Sequence, residues 1–124
     1  MTADERNTLA KFRDAIMYVF EIHGLGYGEV IRRKLFQAEL DFRRIEYQHR
    51  CPIEVQYDGE VVSTFKMKPL LIEDRLICDI KALNEKIDFY DIARIQSYLK
   101  ALDKKIGVIV SFGKTRLEIR GIHV

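Results

Sequence analysis

Two short strand-like segments, Arg75–Ala82 and Ile106–Ser111, flank a stretch with the periodicity of a helix, and this arrangement restricts the fold more than any other feature of the chain. Between Asp88 and Leu102 the apolar residues Ile92, Ile95, Leu99 and Leu102 recur at helical spacing. Asp88 suits the N-cap, because its carboxylate accepts from amides that the first turn leaves unpaired. Strands joined by a helix can run parallel through a right-handed crossover, whereas a tight turn makes neighbours antiparallel. Ile106–Ser111 is continuously apolar apart from its end, as strands buried on both faces are.

The rest of the chain supplies the elements around this unit. Thr8–Ile22 predicts a first helix, with Leu9, Phe12, Ile16, Val19 and Phe20 along one side. Gly24, Gly26 and Gly28 interrupt it and mark a turn. A second helix is expected from about Tyr27 to Phe42, with Tyr27, Ile31, Leu35, Ala38 and Phe42 inward and Arg32, Arg33 and Lys34 on its other face. Ile53, Val55 and Tyr57 alternate with polar residues up to Asp58-Gly59, a strong hairpin turn. Val61–Ile72 reads as the next strand, and Glu73-Asp74 as a two-residue turn into Arg75–Ala82, which makes these three strands antiparallel. Gly113 turns the chain into a last strand, Thr115–Ile122. The expected class is α/β, a mixed sheet of about five strands flanked by helices. A length of 124 residues fits one domain, and a 48% hydrophobic content fits a packed core.

Charge and cysteine content exclude several function classes. With 21 basic and 19 acidic residues the net charge is +2, so bulk charge does not point to nucleic acid and any basic surface must be local. Cys51 and Cys78 form no metal-binding pair and sit among apolar residues, where a thiol acts as a small hydrophobe in a reducing compartment. No signal peptide is evident, and no apolar run approaches the ~20 residues of a membrane span. The expectation is a cytoplasmic protein without membrane contact. His23, His49 and His123 are far apart in sequence, and the glycines at 24, 26 and 28 lack the preceding strand and following lysine of a phosphate loop.

One pattern carries chemistry. In Arg75–Ala82, alternation puts Leu76, Cys78 and Ile80 on one face and Ile77, Asp79 and Lys81 on the other. A carboxylate beside a lysine suits metal-assisted phosphodiester hydrolysis: the acid holds Mg²⁺, and the ammonium stabilises charge on the phosphorane or orients water. On spacing alone an Asp-x-Lys triplet is far more often an exposed ion pair on a sheet face, worth under ~1 kcal/mol. Glu29, near the start of the second helix, reads either as a metal ligand or as a helix-dipole charge paired with Arg33. Tyr90 and Tyr98 read as half-buried packing residues or as stacking surfaces for a base.

The order of the segments resembles the PD-(D/E)xK nuclease superfamily and, within it, the small GxxExxY family. The naming motif falls on Gly26-Tyr27-Gly28-Glu29-Val30-Ile31-Arg32, and similar segments follow at 51–59, 70–82, 93–99 and 106–113. The resemblance implies a restriction-endonuclease-like core and hydrolysis of nucleic acid. It assigns Mg²⁺ to Glu29, Asp79 and the carbonyl of Ile80, with Lys81 assisting the attacking water. The chain departs from the family in three places: Arg32 replaces the tyrosine, Pro69 a metal-binding aspartate, and Arg94 a glutamine. A two-residue turn at Glu73-Asp74 would place Lys68 across from Asp79. Arg32, Lys68 and Arg94 would then favour an anion over a cation. The alternative expectation is therefore a non-catalytic module that binds nucleic acid or another anion. A third is a protein-interaction module, with a homodimer through an exposed strand edge.

Overall fold

The protein is seen in a computed structural model that describes all residues except Leu25, 82–84 and 113–116, and leaves out the side chain of Phe112. The chain runs through α1 (Ala3–His23), α2 (Glu29–Phe42), β1 (Tyr47–Gln48), β2 (Pro52–Tyr57), β3 (Glu60–Lys66), β4 (Leu70–Ile72), β5 (Leu76–Ile80), α3 (Phe89–Leu102), β6 (Ile106–Phe112) and β7 (Leu117–His123). The order within the main sheet is β1-β4-β5-β6-β7. Only the β5–β6 pair is parallel, and α3 is the connection between those strands. The α/β class and the mixed five-stranded sheet are as expected. The Gly113 turn and the Thr115 start of the last strand lie outside the described residues.

The helices differ from expectation at their starts and, for α2, in orientation. The first begins at Ala3 rather than Thr8 because Thr2 and Glu5 form a capping box, with reciprocal backbone-to-side-chain bonds of 3.0 and 2.7 Å. The second begins at Glu29, with Gly28 as an extended N-cap. Its buried face is Arg32, Phe36 and Leu40, while Tyr27, Ile31 and Phe42 are exposed. Two apolar stripes compete on this helix. The one that packs brings Phe36 edge-on to Phe12 of α1, with ring centroids 5.6 Å apart. It also includes an arginine, which hides it from a reading based on hydropathy.

The middle of the chain departs most from the expected three-stranded meander. β2 and β3 form a separate two-stranded sheet. Val61–Ile72 is not one strand: Met67 N–H returns to the carbonyl of Cys51 at 3.0 Å, and Pro69 has no N–H for a ladder. The turn between β4 and β5 is also longer than expected. Ile72 pairs with Leu76, so Glu73, Asp74 and Arg75 all belong to the loop. Glu73 and Asp74 are both left-handed, at φ 52° and 57°, a costly conformation for residues with a Cβ. Glu73 is held by the Thr8 hydroxyl at 2.8 Å and the Lys11 ammonium at 3.1 Å, and Asp74 by Lys104 at 3.1 Å.

Apolar side chains fill both faces of the sheet. On one face Leu70, Ile72, Leu76, Cys78, Val108 and Val110 pack with Phe12, Ile16, Phe36 and Leu40 of α1 and α2. On the other, Leu71, Ile77 and Ile109 meet Ile95 and Leu99 of α3 and Ile53 of the hairpin. Both cysteines are buried and unbridged. No helix among the described residues is long and apolar enough to cross a membrane.

Gly107 sets how closely α3 approaches the sheet. A Cβ there would lie 2.7 Å from Cγ2 of Ile95, which is fully buried and cannot swing aside. Gly107→Ala is expected to destabilise the fold by about 1–3 kcal/mol through overpacking, measured as a fall in the urea midpoint at unchanged slope. An unchanged midpoint would show that α3 shifts freely on the sheet.

Candidate functional site

Alternation along β5 turns Ile77 and Asp79 toward α3, and Lys81 continues the series just past the strand. The Lys81 amide still pairs with the carbonyl of Val110 at 2.8 Å, so the ladder to β6 fixes the start of the loop. Asp79, Ile80 and Lys81 line a cleft of about 300 Å³ together with Glu29, Phe65, Lys66, Lys68, Pro69, Glu85, Arg94 and Tyr98. Helix α2 contributes Glu29 from its first residue, and α3 contributes Arg94 and Tyr98 from one face. The fold thus gathers Glu29, Asp79, Ile80, Lys81, Lys68 and Arg94 around one space.

Lys81 pairs with Asp91 at 2.9 Å and with Glu85 at 3.0 Å. Burial pushes its ammonium down, but hydrogen bonds to Asp91 and Glu85 outweigh this and leave its pKa raised. Lys81 is therefore held in its charged form at neutral pH. Asp91 is the residue that sequence reasoning missed. Its carboxylate is 2% exposed, accepts from Lys81, from Arg94 at 2.6 Å, and from the Asp88 amide at 3.0 Å. Burial pushes its carboxyl up, but the Asp88 amide and Lys81 more than reverse this and hold it below its ordinary range. The Asp88-x-x-Asp91 spacing of a capping box was the available signal. Glu85 is fixed through its carbonyl, which accepts from the buried Ser111 hydroxyl at 2.9 Å.

Asp79 is placed differently. Among the described residues neither it nor Glu29 forms an ion pair. Burial raises the Asp79 pKa, and Asp91 and Glu29 add to the rise against the pull of Arg94 and Lys81. The expected neutralisation by Lys68 does not occur. Leu70 pairs with Cys78, and one further step of that register puts Pro69, not Lys68, level with Asp79. Lys68 is exposed on the cleft and Pro69 is buried in its wall.

Arg32 does not present a cation to an incoming anion. It is 3% exposed, and its guanidinium donates to the carbonyl of Lys81 at 3.2 Å. Its place is against the Lys81 main chain, just past the end of β5. Arg94 is half-buried, bonded to Asp91, and lies over the Tyr90 ring at 5.5 Å. His23, His49 and His123 are exposed and outside the cleft. A larger cleft of about 860 Å³ beside β1 contains none of the Asp-x-Lys residues, and its Glu73 is already engaged by Thr8 and Lys11.

The carboxylates among the residues lining the smaller cleft belong to Glu29, Asp79 and Glu85, and Glu85 is taken by Lys81; Ile80 lines the same cleft. The described residues contain no group of three or more His, Cys, Asp or Glu side chains that could hold a metal ion. Mg²⁺ commonly takes one or two carboxylates and completes its shell with water and substrate phosphate. A half-buried Asp79, without an ion pair among the described residues, lies with Glu29 in the same cleft and fits that weaker kind of site.

A family model described as PD-(D/E)XK nuclease superfamily matches residues 6–122. The crystal structure of SSO0001 aligns with a TM-score of 0.56 and 12% sequence identity, over 97% of this chain and 61% of that one. The chain thus spans less than two thirds of that protein's length, and at this identity the likeness concerns the fold alone. No curated protein matches the sequence.

Proposed function

The chain belongs to the PD-(D/E)XK nuclease superfamily, and from that premise we propose that its cleft hydrolyses phosphodiester bonds of nucleic acid with the help of a divalent cation. The observation that carries this reading is the pair of carboxylates that form no ion pair among the described residues, Glu29 and Asp79, in a cleft that also holds Lys66, Lys68, Lys81 and Arg94. Burying a carboxylate without a counter-charge is costly, and a cation there removes the cost. Glu29, Asp79 and the Ile80 carbonyl would hold it. The chemistry supplied at that point is polarisation of the phosphoryl oxygens and acidification of water. Lys66 and Lys68, exposed and without ion pairs among the described residues, draw the phosphate in. Lys81, kept charged and oriented by Asp91 and Glu85, stabilises the negative charge that develops on the phosphorane.

Pro69 weakens this machinery, because it stands where the family resemblance places a third carboxylate. Nicking of supercoiled plasmid is expected to be slow and to require Mn²⁺ or Mg²⁺. Pro69→Asp is expected to lower the half-saturating Mn²⁺ concentration on the order of tenfold, because ligand charge sets metal affinity. The same proline favours a second reading, a domain that binds nucleic acid without cutting it. A gel shift in EDTA, with no nicking by the wild type or by Pro69→Asp at any metal concentration, would establish that reading and exclude hydrolysis.

A further inference from the structure

Helix α3 carries Tyr90, Arg94 and Tyr98 at successive four-residue steps, so the three share one face. Arg94 and Tyr98 line the Asp79 cleft, and Tyr98 packs against Phe65 of β3 at 5.6 Å between ring centroids. Tyr90 lies one turn beyond, covered on one side by the Arg94 guanidinium, with the residue 71% exposed. An exposed tyrosine alone is unremarkable on a protein surface. This one is anchored to a cation that reaches the phosphate-receiving cleft, and the exposed Lys66 and Lys68 supply further positive charge there.

We propose that Tyr90 stacks an unpaired base while an adjoining phosphate occupies the Asp79–Lys81 cleft, so that the substrate is single-stranded nucleic acid. This rests on the phosphodiester reading of the cleft and adds the strandedness of the substrate. In a duplex both faces of each base are covered by its neighbours, and a side chain reaches a face only where the strand is unpaired or splayed. Charge along the backbone combined with an aromatic surface for the bases is the general chemistry of single-strand binding, and it tolerates any sequence. The ring contributes stacking area and the guanidinium contributes a cation, and each holds the other in place.

The test is fluorescence anisotropy in EDTA at one low salt concentration, so that binding is read without cleavage. The probes are single-stranded DNA, single-stranded RNA, duplex DNA, and a DNA strand of abasic sites. The proposal expects a single strand, DNA or RNA, to bind tighter than the duplex. Tyr90→Ala should weaken single-strand binding on the order of tenfold, and Tyr90→Phe should keep it. On the abasic strand Tyr90→Ala should have no effect, which separates stacking from a mere positioning of Arg94. Equal or tighter duplex binding, or full single-strand affinity in Tyr90→Ala, overturns the proposal while leaving the nuclease reading intact. No binding to any probe in EDTA overturns the proposal, and the nuclease reading then stands or falls on plasmid nicking with Mn²⁺. Because Tyr90 is exposed, its variants should fold normally, and a thermal melt checks this.

Discussion

Asp79→Asn is expected to abolish metal-dependent cleavage and, in the same protein, to raise the melting temperature at neutral pH. The first effect follows from removing the Asp79 half of the carboxylate pair; Asn offers one neutral oxygen in place of a charge. It also has a readout besides activity. Mn²⁺ should raise the wild-type melting temperature by linkage and leave that of Asp79→Asn unchanged. The second effect follows from the raised pKa of Asp79, caused first by burial and then by Asp91 and Glu29. An acid whose folded pKa lies above its unfolded pKa binds more protons when folded, so stability falls as pH rises between the two and stays lower above both. Asn has the same shape and no charge, so in EDTA the gain should be present at neutral pH and vanish below the ordinary aspartate range. A variant that melts lower than the wild type at neutral pH would show that Asp79 is already compensated.

Asp91→Ala should produce the largest loss of stability of any change near the cleft. It removes a buried carboxylate that closes the α3 capping box and receives both Lys81 and Arg94. Losing one member of a buried ion pair costs roughly 3–5 kcal/mol, and a helix cap about 1. Lys81 keeps Glu85, and Arg94 is partly solvated, so the net loss should be about 3 kcal/mol. That corresponds to a fall in Tm on the order of 10 °C for a domain of this size. The pH dependence runs opposite to that of Asp79. A carboxyl held below its ordinary pKa contributes stability above the unfolded value, and the contribution is lost as pH falls through the folded value. Wild type and Asp91→Ala should therefore converge in acid. Parallel curves down to low pH would show that Asp91 acts only through packing.

The two residues differ in how far they can be read from the chain. Asp79 and Lys81 are legible because alternation along a strand is a local property. Asp91 is visible as a cap, but its role as counter-charge to Lys81 depends on α3 crossing back over the end of β5. Glu29 is legible only through family resemblance, since a glutamate at the start of a helix is common for reasons of dipole alone. Arg32 misleads: its neighbours Arg33 and Lys34 suggest a basic face, and the fold turns it inward to hold the Lys81 carbonyl.

Local periodicity by itself determined α3, the strand character of its two flanking segments, the Asp58-Gly59 hairpin and the inward side of α1. Each follows from backbone geometry that repeats within a few residues. Tertiary structure alone decided the rest. The three-residue β4–β5 loop depends on Thr8, Lys11 and Lys104, which are remote in sequence and hold two left-handed residues in place. That loop sets the register and places Pro69 rather than Lys68 beside Asp79. The rotation of α2 and the separation of the β2–β3 hairpin are likewise settled by which surfaces find partners across the sheet. Burial is a property of the assembled molecule, and a hydropathy pattern offers candidates without choosing among them.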